Sequence, residues 1–432
     1  MFKKNYFTFK KIKHLYLSTF VTLKYFKMIL ATIKKHLFDL LFVFLIMLLF
    51  FSLKAPNIIL ISLIIILILD FQNFKKIEFK LLKIKPFFIL AILFIYWILK
   101  AIITHSILDS NYSLLLPIVI IPILFLKVEN KNWLQYGILW MVLFLSVRAY
   151  IGLIGYYIQN KNFLPFEGEI INEILGMERP YLGFISVIAI IIALQVSTSI
   201  KKYKIVLIGY AIYISIFVVI ISARISVLTV LCISFLFFLF YSKVSNNKKV
   251  VFFLCSLFFM LSFMMLNKNL RERFFITSNY EKSIEKLNRH EPRMIIWNCS
   301  YRIMKSEDFD LFFGLNSTKE LEQRYLNCYD QTMTNRNRAN YFISTNKNSH
   351  NQFIAVFLTS GILGLFIFCY FFGHQFYIYR RDFFKIAMLV ATLMFFVVEN
   401  VLMRQTGVYL FALIISLINI PLTKVKNKPL LE

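Results

Sequence analysis

The 432-residue sequence predicts an all-α polytopic membrane protein of about twelve transmembrane helices, with one large loop between helices 9 and 10. Three observations lead there. The chain is 59% hydrophobic and 16% charged, with mean hydropathy +0.70, whereas a soluble chain is nearer half apolar and about a quarter charged. The apolar residues come in continuous blocks, many close to the about 20 residues of helix that cross a bilayer, and not in the alternation of an outer-membrane barrel. The net charge of +27 falls mostly in short loops between blocks, which is the positive-inside pattern of a membrane protein. It is not the footprint of a nucleic-acid binder; membrane lipids are the expected surroundings.

Residues 1–36 are rich in lysine and aromatics (KKNYFTFKKIKHLYL) and have no small-residue cleavage site after a short apolar run. They fit a basic helix on an anionic leaflet and a solvated tail equally well. Apolar blocks follow near 37–54, 55–70, 86–104, 113–127, 133–156, 181–199, 204–222, 226–241, 250–266, 351–377, 385–401 and 407–422. Lys and Arg clusters occupy 71–85, 127–132, 200–204, 242–249, 378–385 and 423–428, on alternate connections. That alternation puts both termini in the cytoplasm and the long connections 157–180 and 267–350 outside it. The expected organisation is a basic segment (1–36), nine spans (37–266), a loop subdomain (267–350), three spans (351–422) and a short tail (423–432). No internal repeat is visible.

Of the five cysteines, Cys232, Cys255 and Cys369 lie in apolar blocks, as small buried residues do. Cys299 and Cys328 lie in the long loop. They are able to pair if the loop faces an oxidising compartment, and spacing leaves that open.

The non-cytoplasmic side carries arginines near block ends: Arg148 inside the fifth block, Arg179 before the sixth, Arg224 between the seventh and eighth, and Arg404 between the last two. The long loop adds Arg289, Arg293 and Arg302. A charge in or beside the hydrocarbon region is costly and marks functional sites. A guanidinium fork suits phosphate oxygens, so the set points to an anionic, lipid-linked phosphate. Any single arginine is also explained by snorkelling to headgroups. His350, where the loop meets the tenth block, is placed to accept a proton from a hydroxyl. Its position equally suits a helix-entry residue. The histidines form no metal spacing, and HxxxH, CxxC, GxxxxGK[ST] and GxSxG are absent. The acids at 307–310 (EDFD) read as a solvated loop before a cation site.

Four stretches then combine: SAR at 222–224, RHEPRMIIWNCSYRIMKSEDFDLFFGLN at 289–316, SHNQFIAVFLTSGILGLFIF at 349–368, and ENVLMRQTGVYLFALIISLI at 399–418. Their order over roughly residues 180–420 resembles the O-antigen ligase and O-antigen polymerase family, the His-Asn with GILG most specifically. The resemblance implies a GT-C-like, metal-independent, inverting glycosyltransferase without a cofactor, in the bacterial inner membrane with its site facing the periplasm. It implies an undecaprenyl-diphosphate-linked donor and a lipid A–core or glycan acceptor. Carried over by motif, Arg224 and Arg293 bind diphosphate and His350 activates the acceptor hydroxyl. Asn351, Arg289, Arg179 and Arg404 join them as substrate-binding residues, and Arg148 is added from its burial cost. The family's second Gly after Phe-Gly is replaced by Leu315-Asn316, so this turn is expected to differ. A competing class is a flippase for lipid-linked sugars. Such transporters commonly show internal repeats and need no long loop with a histidine.

Overall fold

The computed structural model describes residues 36–52, 54–69, 85–106, 112–161, 168–241 and 292–420, with scattered positions between 247 and 258. All regular structure among these residues is helical. The apolar helices are α1 (His36–Leu48), α2 (Ala55–Leu69), α3 (Lys85–Ile103), α4 (Leu116–Lys127) and α5 (Lys131–Asn160), then α7 (Arg179–Ser199), α8 (Lys204–Ile220) and α9 (Arg224–Tyr241). The short α6 (Gly168–Leu175) packs on α5 and α7. The long loop contains α10 (Pro292–Met304), α11 (Thr318–Thr332) and α12 (Arg336–Ser344), and α13 (Gln352–Tyr379), α14 (Phe383–Phe396) and α15 (Gln405–Asn419) complete the bundle. Among the described residues, five stretches are long and apolar enough to cross a membrane: α3, α5, α7, α13, and Lys201–Ile220, which contains α8. The expected block at 250–266 lies largely outside the described residues.

Burial follows composition. Helices α7 and α15 are apolar around nearly their whole circumference and are buried, as a helix without a polar face must be. Other helices turn apolar side chains outward, such as Ile92, Ile95 and Leu99 on α3 and Ile205, Val206 and Ile212 on α8; in a bilayer that face meets lipid. Phe237 and Phe240 near the end of α9 pack on Phe383 at the start of α14, so these two helices run antiparallel. Tyr181 and Phe184 near the start of α7 pack on Phe395 near the end of α14. Gly183 lets α7 approach the entry of α9 closely, because a Cβ there would overlap Ser226 and Ala223. The starts of α7 and α9 and the end of α14 therefore share one end of the bundle.

The loop helices have a core of their own. Ile296, Cys299, Ile303, Leu321, Tyr325, Tyr329 and Phe342 are buried together with Leu358 of α13. Cys299 and Cys328 are disulfide-bonded, with Cα atoms 5.8 Å apart. Ser317 caps α11 by accepting from the Glu320 amide, and Glu320 accepts from the Asn316 amide, close to a capping box. Arg324 binds Asp308 and Glu320 together, and Asp310 accepts from the Phe312 and Phe313 amides in the turn that follows.

The tenth block is expected as one helix, but α13 is broken. Gly361 has φ +61 and ψ −165, a region open only to glycine. The turn Leu311–Asn316 lies in the break, where Leu315 N donates to Leu358 O at 2.8 Å and Ile362 N to Leu311 O at 2.9 Å. Gly314 has φ +70, and a Cβ there would overlap the backbone of Leu358–Gly361. The Phe-Gly of the loop motif and the first Gly of GILG are thus two sides of one backbone crossing.

Candidate functional site

The site begins where the loop subdomain hands the chain to α13. The Asn351 side chain caps that helix, accepting from the amides of Phe353 and Ile354. Facing it, α14 stops at Phe396, and residues 397–404 turn the chain through a short 3-10 helix, Val401–Met403. Buried Asn400 fixes the two segments together: its Oδ1 accepts from Asn351 N at 2.7 Å and Ser349 Oγ at 2.9 Å. Asn351 Nδ2 donates to Val397 O, and Leu402 N donates to Gln352 Oε1. Helix α10 closes a third side, with Trp297 Nε1 donating to Ser349 O at 3.0 Å and Arg293 to Val398 O at 3.2 Å.

Within this frame His350 has φ +44, uncommon for a residue with a Cβ. Its Nδ1 lies 3.3 Å from Glu399 Oε2. Arg293 approaches the other carboxylate oxygen at 3.8 Å. Glu399 is 4% exposed. Burial by itself pushes its carboxyl pKa up; the hydrogen bond from His350 and the positive charge around the group, Arg293 and Arg404 included, outweigh it and hold the carboxyl below the ordinary range. An ionised Glu399 is an acceptor for an Nδ1–H of His350, and in a neutral ring that tautomer carries its lone pair on Nε2.

Arg404 caps neither end of a helix with its side chain; it pairs with Glu178 and lies 6.0 Å from the Tyr181 ring. It borders two cavities. One of about 250 Å³ lies between loop subdomain and bundle, lined by Trp97, Tyr325, Ser349, Gln352 and Asn400. The other, of about 490 Å³, is lined by Phe50, Phe51, Met177, Glu178 and Tyr181.

The structure thus brings together four of the residues expected from sequence: His350, Arg293, Asn351 and Arg404. Arg224 opens α9 at the same end of the bundle, and Arg179 opens α7 there, its backbone amide donating to Asn172. Arg148 lies against Gly176, two residues before Glu178, and not beside His350. Arg289 lies outside the described residues. Glu399 and Asn400 are the residues that sequence reading missed. The available signal was an acid and an amide breaking an otherwise apolar run (FFVVENVLM).

Residues 209–369 match the family model described as O-antigen ligase. Over that stretch the chain is similar to the O-antigen ligase family. Arg224, Arg293, His350 and Asn351 fall inside it, whereas Arg148, Arg179, Glu399 and Arg404 fall outside the matched residues. Half of the His350–Glu399 pair therefore comes from beyond the recognised O-antigen ligase stretch. No curated protein matches the chain.

Proposed function

We propose that this chain is an O-antigen ligase, transferring a glycan from undecaprenyl diphosphate to a hydroxyl of lipid A–core at the periplasmic face of the bacterial inner membrane. The observation that carries the reading is the convergence of His350, Glu399, Arg293 and Arg404 at one end of a membrane-type bundle, beside a cavity under the loop subdomain. A disulfide in that subdomain suits an oxidising compartment, in keeping with a periplasmic loop.

In this reading Glu399 holds the His350 ring so that Nε2 faces the acceptor hydroxyl. The hydroxyl oxygen attacks the anomeric carbon, its proton passes to Nε2, and the bond from that carbon to the diphosphate oxygen breaks with its electrons leaving on the phosphate. One displacement inverts the anomeric centre. The charge that develops on the diphosphate is met by fixed guanidinium groups, Arg293 and Arg404 at the site and Arg224 and Arg179 at the same end, in a setting where preorganised charge is most effective. Asn351 positions the histidine through the cap of α13. Arg148 lies further along the same side and is assigned to headgroup or donor contacts, as is Arg289.

The test is transfer by purified protein from a lipid-linked donor to lipid A–core, compared with the surface glycans of a deletion strain. A new glycosidic bond in vitro and polymer missing from the core in vivo support a ligase. A single repeat unit left on the core points to a polymerase, and lipid-linked sugar crossing the bilayer without bond formation points to a flippase.

A further inference from the structure

Lys100 lies on the buried stripe of α3 with Leu93, Trp97 and Ala101, and is 6% exposed. An ammonium in such a place is costly unless its donors are matched. Its Nζ donates to three backbone carbonyls, those of Phe313, Leu315 (2.6 Å) and Thr359, the full capacity of the group. The acceptors are the two sides of the crossing at Gly314 and Gly361. The break in α13 explains why Thr359 O needs a donor: Leu363 N, which would close a helical bond to it, is turned to Phe312 O instead. Helix α3 supplies the neighbouring donors as well. Tyr96 Oη donates to Ser360 O at 2.7 Å and Trp97 Nε1 to Ser360 Oγ at 2.6 Å. No residue of α3 belongs to the matched family stretch.

We propose that Lys100 is a positioning residue for the His350 site: its ammonium pins the loop's Phe-Gly turn into the break of α13 and thereby holds the half-helix that starts at Asn351, next to His350. The half-helix from Gln352 to Ser360 is short and capped at one end, so its other end decides where the cap sits. The link to catalysis rests on the reading of His350 as the acceptor base.

The experiment has two readouts. Hydrogen exchange at the Leu315 and Ile362 amides, in detergent and without substrate, reports the crossing; amides of α7 report the fold. In Lys100→Met the crossing amides exchange about tenfold faster or more while those of α7 do not change. Transfer from the lipid-linked donor falls in kcat by about 100-fold, as expected for misplacement near the reacting atoms, with KM for the donor unchanged. In Lys100→Ala the three carbonyls face an ammonium-sized gap, and added ethylammonium restores both readouts, which it does not do for a protein that has merely misfolded. Gly314→Ala disturbs the same crossing from the loop side and lowers kcat in the same way with Lys100 intact. Wild-type exchange in Lys100→Met, no recovery of Lys100→Ala with ethylammonium, or wild-type transfer by a Gly314→Ala protein whose crossing exchanges fast each overturn the proposal. If the wild-type protein forms no glycosidic bond, the reading of His350 falls, while exchange at the crossing still decides whether Lys100 latches it.

Discussion

At the scale of single residues, the chemistry depends on a carboxylate that stays ionised where burial opposes ionisation. Glu399 is kept charged by His350, Arg293 and Arg404, so removing its charge should be felt twice. Glu399→Gln leaves the histidine ring without its anionic partner, and transfer should slow mainly in kcat. It should also lower the melting temperature of the purified protein at neutral pH. The lowered pKa gives the sign of the pH effect: the stabilisation is present above the unfolded-state value of about 4.3 and is lost as pH falls through the lower folded-state value. The gap in melting temperature between wild type and Glu399→Gln should therefore hold steady from neutral pH through pH 5 and close in stronger acid. A gap that closes between pH 7 and 5 removes this account. His350→Ala should reduce transfer by about 10²–10⁴-fold if the imidazole is the general base, with donor binding retained; transfer at the normal rate would leave His350 a helix-entry residue. His350 and Arg293 were legible as motif residues. Glu399 was not, because the partner that gives it meaning lies 49 residues away and only packing brings the two together.

At the scale of elements, the break in α13 carries the most stringent local demand. A Cβ on Gly361 would lie 2.1 Å from Phe312 O, whereas one on Gly373, in the same helix, meets open space. Gly373→Ala should be neutral or slightly stabilising, since alanine is favoured over glycine in a helix by about 0.5–1 kcal/mol. Gly361→Ala adds backbone strain of about 1–3 kcal/mol to a direct overlap, and should lower the melting temperature sharply or abolish insertion. Equal melting of the two variants would mean that α13 is continuous in the membrane. In the loop subdomain, replacing Cys299 and Cys328 with alanine should cost about 2–4 kcal/mol, read as earlier unfolding of that subdomain by limited proteolysis, with the bundle helices unaffected. An apolar run announces a helix, but α13 shows why it does not announce an uninterrupted one: GILG reads as a tolerated pair of glycines until the Phe-Gly turn is seen to occupy the space the first of them leaves.

At the scale of the whole molecule, the pieces of the site are spread over three regions, α10 of the loop subdomain, the entry to α13 and the turn after α14, and each end of the arrangement is tied to the bundle. Sidedness then decides which substrates reach it. Cysteines introduced at Glu307 and Asn247, in a background lacking Cys232, Cys255 and Cys369, should react with an impermeant reagent from opposite sides of the membrane. The Glu307 position should be the one labelled from outside. Labelling of both from one side would sink the lysine-based topology, and with it the periplasmic placement of the His350 site.

Local chemistry and partition into the membrane are written in the sequence and need no partner to be read. Uninterrupted apolar blocks have to satisfy their backbone internally, so they become helices, and the His-Asn, Trp and Phe-Gly stretches are short enough to be recognised where they stand. Tertiary structure alone decided which of the many cations meet. Arg293 reaches Glu399, Arg404 pairs with Glu178 close by, and Arg148 lies against Gly176 instead, because contact depends on how the helices pack and not on distance along the chain. It also decided that Lys100, one lysine among many in the sequence, is buried and fully coordinated. One of its three acceptors, Thr359 O, is released by the break in α13, and the other two, Phe313 O and Leu315 O, belong to the loop turn that fills the break.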